Sequence, residues 1–234
     1  MTLLDAKSLT VKFGGVAALN ALSFHVDPGE FVGVLGANGS GKSTLLDVLS
    51  GLRSSSGSVT FRGRELARVP AHARHRLGIS RSYQNLELSP ALSVRESLRA
   101  GSRVRGRRSV EEIARVSELF SLEDVGAERV GVLPYGVRKR VELGRAFLCQ
   151  PALVLLDEPM AGLNDAEKDR VASVLREIGA EPEPPAIVLV EHDVSVVAAL
   201  SSRIVAIDLG SVIAEGNPRD VIAAPAVQRA YLGV

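Results

Sequence analysis

The sequence has a single cysteine, Cys149, no tryptophan, and only 4% aromatic residues. One cysteine excludes an internal disulfide, and the apolar neighbours of Cys149 predict a small buried side chain rather than a reactive thiol. No apolar run approaches the roughly 18 residues that a membrane-spanning helix needs, and the first residues lack a signal-peptide pattern. We therefore expect a cytosolic protein.

An excess of charge of one sign is also lacking. Lysine and arginine together number 28, against 27 aspartate and glutamate residues, so the net charge is +1 at pH 7. This balance gives no overall attraction to nucleic acid, and we expect no nucleic-acid partner. With 234 residues, 46% of them hydrophobic, the chain is long and apolar enough for one large globular domain with a full core.

A glycine-rich motif is the most informative feature that is present. An apolar run at 31–35 has the length of a strand and leads into Gly-Ala-Asn-Gly-Ser-Gly-Lys-Ser-Thr, after which leucines recur at helical spacing until Gly51. Glycines let backbone N–H groups turn towards phosphate oxygens, Lys42 supplies a positive charge, and the Ser43 hydroxyl is a ligand for Mg²⁺. The motif predicts a nucleotide site formed by Gly36, Asn38, Gly39, Ser40, Gly41, Lys42, Ser43 and Thr44.

Acidic residues end a second apolar strand. The run 153–156 is wholly apolar and is followed by Asp157 and Glu158, which would be costly to bury unpaired. In a phosphate-loop enzyme we expect Asp157 to hold Mg²⁺ through water and Glu158 to orient or deprotonate the attacking water. His192 follows another apolar strand, 186–190, and a residue at such a strand end faces the ligand crevice of an open α/β sheet.

The chain reads as an α/β fold in one domain, 1–234, with three parts. Short strands at 1–30 and 57–66 predict a small antiparallel β subdomain. Helical patterns at 86–138 predict an inserted α-helical subdomain. The remaining segments, which form the core with a mostly parallel sheet and flanking helices, are 31–56, 67–85 and 139–234.

Some local patterns predict where helices and strands begin and end. Asn20, together with Gly14-Gly15, is expected to break the strands of 3–26. A serine or asparagine followed three residues later by glutamate predicts a capping box at the start of a helix. Such boxes are predicted at Ser93 with Glu96, Ser109 with Glu112, and Asn164 with Glu167.

Two patterns leave a choice between structure and function. The basic stretch 71–76 contains two histidines, but no cysteine or carboxylate of ligand spacing accompanies them, so we expect a solvated basic face rather than a metal site. Phe13 is either a core aromatic or a flat surface on which adenine stacks. Its position alone does not decide between these two roles.

Taken together, these stretches resemble the ATP-binding subunit of ABC transporters. The resemblance runs from about Val11 to the last residues, and its elements follow one another in the order and spacing of that family. The residues that carry it are similar to the Walker A loop (36–44), the Q-loop (Gln84), the signature (133–137), Walker B (153–158), the D-loop (161–164), the switch histidine (His192) and the adenine-stacking aromatic (Phe13).

The resemblance implies a P-loop NTPase core and an ATPase that uses ATP and Mg²⁺. Two subunits, identical or sister, would close head to tail, with Tyr135 and Gly136 of one contacting the nucleotide held by the other. Glu158, His192 and Gln84 would be the catalytic residues, and Ser43, Gln84 and Asp157 would hold the metal. Residues 86–110 would contact integral-membrane permeases at the cytoplasmic face of the membrane.

Within the family, short segments such as Pro-Tyr-Gly at 134–136 and Ala-Tyr-Leu-Gly at 230–233 resemble the importers of branched-chain (hydrophobic) amino acids. Urea or amide importers and the lipopolysaccharide-export ATPase are alternatives. A soluble ABC ATPase acting on ribosomes or DNA would normally show two cassettes or a coiled-coil insert, whereas this sequence shows one cassette and no heptad repeats. A small P-loop kinase would need an acceptor-binding lid, and a catalytically dead regulatory subunit would not need the intact acidic residues and histidine.

The sequence departs from the family pattern at three positions. Pro134 stands where the signature usually has serine, and Val137 stands where it has glutamine, so a hydroxyl donor to the γ-phosphate is absent. Asn164 stands where many relatives have the D-loop aspartate. A hydrogen bond to a charged group contributes on the order of 1.5–3 kcal/mol, so we expect the site completed by this signature to be weaker.

Overall fold

The protein is described by a computed structural model that covers residues 2–82, 88–102 and 107–232; Gln84 lies outside them. Its strands are β1 (Leu4–Phe13), β2 (Val16–Val26), β3 (Phe31–Leu35), β4 (Ser56–Phe61), β5 (Arg64–Glu65), β6 (Ile79–Arg81), β7 (Leu153–Asp157), β8 (Ala186–Val190), β9 (Arg203–Asp208) and β10 (Ser211–Gly216). Its helices are α1 (Lys42–Ser50), α2 (Ala71–Arg76), α3 (Val94–Gly101), α4 (Arg107–Leu119), α5 (Tyr135–Phe147), α6 (Asp165–Gly179), α7 (Val194–Leu200), α8 (Pro218–Ala223) and α9 (Pro225–Leu232). Within the described ranges, no helix has both the length and the apolar character that crossing a bilayer requires.

The larger sheet positions the candidate site. Its strand order is β10-β9-β3-β8-β7-β6, and every pair in it is parallel except β10 with β9. The strands β7 and β8 are buried along their whole length, which is why they are continuous apolar runs. Because parallel strands end at the same edge, the segments after β3, β7 and β8 lie side by side there. The predicted α/β fold is therefore confirmed.

The smaller sheet is antiparallel, with the order β2-β1-β4-β5. The strand β2 runs unbroken through Asn20, so the prediction that Asn20 interrupts a strand is wrong. The Asn20 side chain lies on the exposed face, and its backbone N–H donates to the carbonyl of Gly210 at 2.9 Å. Register shifts between β1 and β2 accommodate the long pairing without ending it.

The capping boxes at Ser93 and Asn164 form as predicted, but the one at Ser109 does not. The helix α4 already begins at Arg107, so Ser109 cannot be its N-cap. Glu112, the expected partner, instead accepts hydrogen bonds from the Ser102 hydroxyl at 3.0 Å and from the backbone amide of Cys149. Cys149 is half-buried, less than predicted, because it lies just beyond the end of α5 in a left-handed conformation.

The basic stretch 71–76 is only partly a solvated face. Arg74 has 5% of its surface exposed and is the exception to that prediction. Its guanidinium donates to the carbonyls of Val48 at 2.7 Å and Leu49 at 3.0 Å, in the last turn of α1. Arg74 thus satisfies carbonyl groups that the end of a helix leaves without intrahelical partners.

Candidate functional site

The phosphate loop, residues 36–41, connects β3 to α1 and depends on glycine in two places. Gly41 has φ 111°, a left-handed conformation that side chains rarely adopt, and a Cβ there would lie 2.4 Å from the carbonyl oxygen of Ala18. A Cβ on Gly36 would lie 2.2 Å from Ser40 Oγ and 2.5 Å from the Ile207 carbonyl oxygen. The loop begins α1 without a side-chain cap, so first-turn N–H groups face the loop.

Lys42 is folded over this loop. Its Nζ donates to the carbonyl oxygens of Gly36 at 2.6 Å and Ala37 at 3.0 Å, and the residue is 5% exposed. Burial lowers the pKa of the Lys42 ammonium, while the carboxylates of Glu158 and Asp157 act in the opposite direction. A cation held in this way over backbone N–H groups fits the binding of a polyphosphate.

Ser43 and Asp157 face each other beside the loop. The Ser43 hydroxyl lies 3.4 Å from Asp157 Oδ1, and the Asp157 amide donates to Ser82 Oγ at 3.3 Å. A hydroxyl and a carboxylate are oxygen ligands, the donor set that Mg²⁺ takes when phosphates and water complete its shell. These two residues therefore fit the predicted metal site, whose third predicted member, Gln84, is outside the described residues.

Arg81 is a member of the site that sequence reasoning missed. Its Nη2 lies 2.9 Å from Asp157 Oδ2, and its Nη1 lies 2.7 Å from Asp47 Oδ1 and 3.0 Å from Ser50 Oγ. Arg81 thus links the Asp157 carboxylate on β7, a predicted metal ligand, to the helix that follows the phosphate loop. The available signal was an arginine within a short strand, because a charge buried in a sheet requires an acidic partner.

Glu158 and His192 meet at the ends of two neighbouring strands. Glu158 follows β7 with φ 47°, and its amide donates to the Val190 carbonyl at 2.9 Å. Its Oε1 lies 2.7 Å from His192 Nε2. The Glu158 side chain is 13% exposed and that of His192 43%, so the pair lies at the surface of the crevice, where water can reach it. This arrangement can orient a carboxylate that acts as a base.

Glu191 is a second missed residue, and it lies beside Glu158 and His192. Its carboxylate is 5% exposed and accepts hydrogen bonds from the amides of Met160 at 2.7 Å and His192 at 3.2 Å. Burial raises the pKa of the Glu191 carboxyl, and the two backbone hydrogen bonds oppose that rise. The residue ties the segment after Glu158 to the end of β8. An acidic residue directly after a buried strand was the available signal.

The signature turn, residues 133–137, is placed differently. The Tyr135 hydroxyl donates to the Ala161 carbonyl at 3.3 Å, and a Cβ on Gly136 would lie 2.0 Å from Glu167 Oε1. Tyr135 is 38% exposed. Tyr135 thus contacts the segment before α6, and Gly136 lies against the first turn of α6. The structure does not bring these two residues to the other predicted site residues.

Residues at the departures from the family pattern have local roles. Pro134 precedes α5 as its N-cap without a side-chain hydrogen bond, and Val137 packs against the hydrophobic core. Asn164 caps α6: its Oδ1 accepts from the Glu167 amide at 3.0 Å, while Glu167 Oε2 accepts from the Asn164 amide at 3.0 Å.

Phe13 is 47% exposed, so the core alternative is wrong. The guanidinium carbon of Arg53 lies 4.4 Å from the centre of its ring. A cation over an aromatic face is a favourable contact. Adenine stacking by Phe13 stays a prediction.

Comparisons with known proteins find similarity along most of the chain. The family model described as ABC transporter matches residues 19–161. The high-affinity branched-chain amino acid transport ATP-binding protein BraF of Pseudomonas aeruginosa is 30% identical over 250 residues, 99% of this chain and 98% of that protein. The Fe(3+) ions import ATP-binding protein FbpC of Streptomyces coelicolor is 37% identical over 229 residues, 96% of this chain but 65% of that protein.

Solved structures show the same fold. A nucleotide-free ATP-binding cassette from an ABC transporter superposes with a TM-score of 0.88 at 25% identity and covers 100% of both chains. The bacterial ABC transporter cassette MJ0796, solved as a dimer, superposes with a TM-score of 0.81 at 23% identity and covers 92% of this chain. The second likeness concerns the fold alone.

Proposed function

The chain belongs to the ABC transporter family, whose ATP-binding subunits hydrolyse ATP to power transport, and we propose that it drives an importer of branched-chain or other hydrophobic amino acids. Support for this solute class comes from BraF, which matches the chain along almost its entire length. The similarity to an Fe(3+) importer makes ion uptake the second candidate. Both assign the chain to the energy-supplying subunit, which does not bind the solute.

The observation that carries the proposal is the meeting of Glu158 with His192 at 2.7 Å, beside the Ser43–Asp157 pair. The N–H groups of the phosphate loop and Lys42 bind the phosphates. Ser43 and Asp157 would hold Mg²⁺, which neutralises phosphate charge when it is bound. Glu158 accepts a proton from the attacking water, and His192 holds the Glu158 carboxylate in position for it. Gln84 would complete the metal and γ-phosphate contacts.

A second ATP-binding subunit would complete the site in a head-to-tail dimer. The signature turn is exposed at Tyr135, and the amides at the start of α5 have no side-chain cap from Pro134. A helix N-terminus of this kind favours an anion, such as the γ-phosphate held by the opposite subunit. Phe13, with its exposed ring, would stack on the adenine.

Permease subunits would dock mainly through residues 86–110. Gly101 of this stretch, at the end of α3, lines a groove of about 410 Å³ together with His72 and His75 of α2, Arg81 of β6 and Arg145 of α5. A contact in this groove would reach Arg81, which binds Asp157, so motion at the site and at the permease would be coupled. We place the subunit at the cytoplasmic face of the membrane, without a nucleic-acid partner.

The three parts of the chain would then have separate tasks. The segments 1–30 and 57–66 present Phe13, and the helical part, 86–138, presents the signature turn and the permease contacts. The core supplies the phosphate loop, Asp157, Glu158 and His192 from 31–56, 67–85 and 139–234.

The test is to express the Glu158→Gln variant in its native cell, solubilise membranes gently with ATP present, and identify what co-purifies. We expect two multi-spanning permeases and a second ATP-binding subunit to co-purify. We also expect a solute-binding protein that binds amino acids. A Lys42→Ala variant is the control. It should no longer bind ATP, so the closed complex should not form. Recovery with ribosomes or nucleic acid would contradict the transport function, and an ion-binding or lipid-binding partner would contradict amino-acid import.

A further inference from the structure

The C-terminal helix α9 reaches the phosphate loop through one side chain. The Tyr231 hydroxyl accepts a hydrogen bond from the Gly36 amide at 2.7 Å and donates to the Gly36 carbonyl at 3.1 Å. Gly36 is the first residue of the loop, immediately after β3. A single phenol therefore binds the peptide groups on both sides of this residue, although Tyr231 lies at the opposite end of the chain.

Hydrophobic packing fixes the direction of this contact. Val227, one turn earlier on α9, is 4% exposed and belongs to a cluster with Leu35 and Val221, against which the Tyr231 ring also packs. Leu35 directly precedes Gly36, so the same cluster holds both partners of the hydrogen bonds. Burial raises the pKa of the Tyr231 phenol, with the Gly36 hydrogen bond opposing the rise, and the hydroxyl is neutral at pH 7. It can therefore donate and accept at the same time.

The Gly36 carbonyl has a second donor, which matters when ATP binds. Lys42 Nζ donates to the same oxygen at 2.6 Å, and a carbonyl oxygen has two lone pairs. A lysine that turns towards phosphate oxygens weakens its bond to this carbonyl. With the phenol in place, the part-buried carbonyl keeps a donor, and no acceptor is left unsatisfied. Without the hydroxyl, turning Lys42 towards phosphate would carry the cost of an unpaired acceptor.

We propose that Tyr231 is a positioning residue of the nucleotide site: through Gly36 it fixes the start of the phosphate loop and frees Lys42 to bind ATP. The family model that matches this chain ends at residue 161, so α9 lies outside the matched segment. Through the contact of Tyr231 with Gly36, α9 is part of the nucleotide site as well as of the hydrophobic core. The proposal rests on the assignment of 36–44 as that site.

The test compares nucleotide binding by purified Tyr231→Phe and wild-type protein in the presence of Mg²⁺. Tyr231→Phe keeps the ring and removes only the hydroxyl, so we expect the Kd of a fluorescent ATP analogue to rise about fivefold. In the ATPase assay the KM for ATP should rise by a similar factor, while kcat at saturating ATP stays within about twofold. An unchanged Kd would overturn the proposal.

Val227→Ala is the matched control. It removes buried methyl groups from the same helix, so it should lower the melting temperature more than Tyr231→Phe does, yet leave the Kd near the wild-type value. Equal losses of affinity in the two variants would contradict the specific role of the hydroxyl, since any weakening of the packing of α9 would then have the same effect. Lys42→Ala must lose ATP binding; if it does not, the assignment of the phosphate loop fails and the proposal fails with it.

A spectroscopic measurement tests the contact directly. The chain has three tyrosines, so 3-fluorotyrosine gives three ¹⁹F resonances, and the Tyr231→Phe variant identifies the one from Tyr231. That resonance should shift when ATP is added and should keep its position when ATP is added to Lys42→Ala. A Tyr231 resonance that does not respond to ATP in the wild-type protein would contradict the proposal.

Discussion

The phosphate loop and the signature turn differ in how far the rest of the chain covers them. The phosphate loop is enclosed by its own chain: Lys42 is 5% exposed, and Asp157 has ion-pair and hydrogen-bond partners on β6 and α1. The signature turn is open: Tyr135 is 38% exposed, and its hydroxyl binds a carbonyl in the loop before α6. One half is therefore organised before any partner arrives, whereas the other offers surface that a second subunit would have to cover.

The largest effect is expected in the enclosed half, which contains the phosphate loop and the carboxylates beside it. Glu158→Gln should lower ATP hydrolysis by about 10²- to 10⁴-fold while ATP binding persists, because an amide cannot accept the proton of water but has nearly the same shape. The measurement is phosphate release together with equilibrium ATP binding. Turnover equal to that of the wild type would show that Glu158 is not the base and that the enclosed half lacks its proposed chemistry.

Next in size is the removal of the cation that binds Asp157. Arg81→Met should destabilise the fold by about 3 kcal/mol, because it leaves the buried Asp157 carboxylate without its ion pair. Urea unfolding measures this loss. Arg81→Lys is the control and should recover part of it, since an ammonium keeps the charge but cannot reach both Asp157 and Asp47 as the guanidinium does. A loss below about 0.5 kcal/mol in Arg81→Met would show that the enclosure is not electrostatic.

On the open half, Pro134→Ser restores the hydroxyl donor that the signature lacks. In the assembled transporter we expect ATPase activity to rise about tenfold, the equivalent of one hydrogen bond to a charged group. Pro134→Ala removes the ring without adding a hydroxyl and should stay near the starting rate. Unchanged or lower turnover in Pro134→Ser would indicate that the signature turn is complete as it is.

The smallest effect is expected at Asn164, which caps α6 beside the signature turn. Asn164→Ala should cost about 1 kcal/mol of stability, because the Glu167 amide loses its acceptor, whereas Asn164→Asp should change stability by less than about 0.5 kcal/mol. Thermal unfolding of both variants checks this. If Asn164→Asp altered hydrolysis but not stability, the position would have a role in the site beyond capping.

The difference between the two halves also decides what the sequence could predict. The position of Asp157, Glu158 and His192 at neighbouring strand ends could be predicted, because strand ends in a parallel sheet meet at one edge. Arg81, at the end of β6, and Glu191, directly after β8, also stand at strand ends, but the contacts of Arg81 with Asp47 and Asp157 and of Glu191 with the Met160 amide join residues far apart in the sequence. Tyr231 gave no local signal of its contact with Gly36, because the two residues are 195 positions apart in the sequence.

Two of the wrong predictions share one cause. Ser109 with Glu112 satisfied the pattern of a capping box, but Glu112 is engaged by Ser102 and the Cys149 amide, and α4 begins earlier. Arg74 satisfied the pattern of a solvated face, yet the carbonyls at the end of α1 draw it into the interior. In both cases a tertiary partner outweighed a local pattern, and a single sequence does not contain the position of that partner.

The position of β3 in the sheet has a consequence for how the protein folds during synthesis. Val32 pairs with Val188 on one side and with Arg203 on the other. The strand that carries the phosphate loop therefore lies unpaired on the ribosome until most of the chain has emerged, since both neighbours are made late. Strand pairings between residues this distant in the sequence form slowly, and the apolar strands stay exposed until they have formed. We therefore expect the nucleotide site to form only after β8 and β9 have paired with β3.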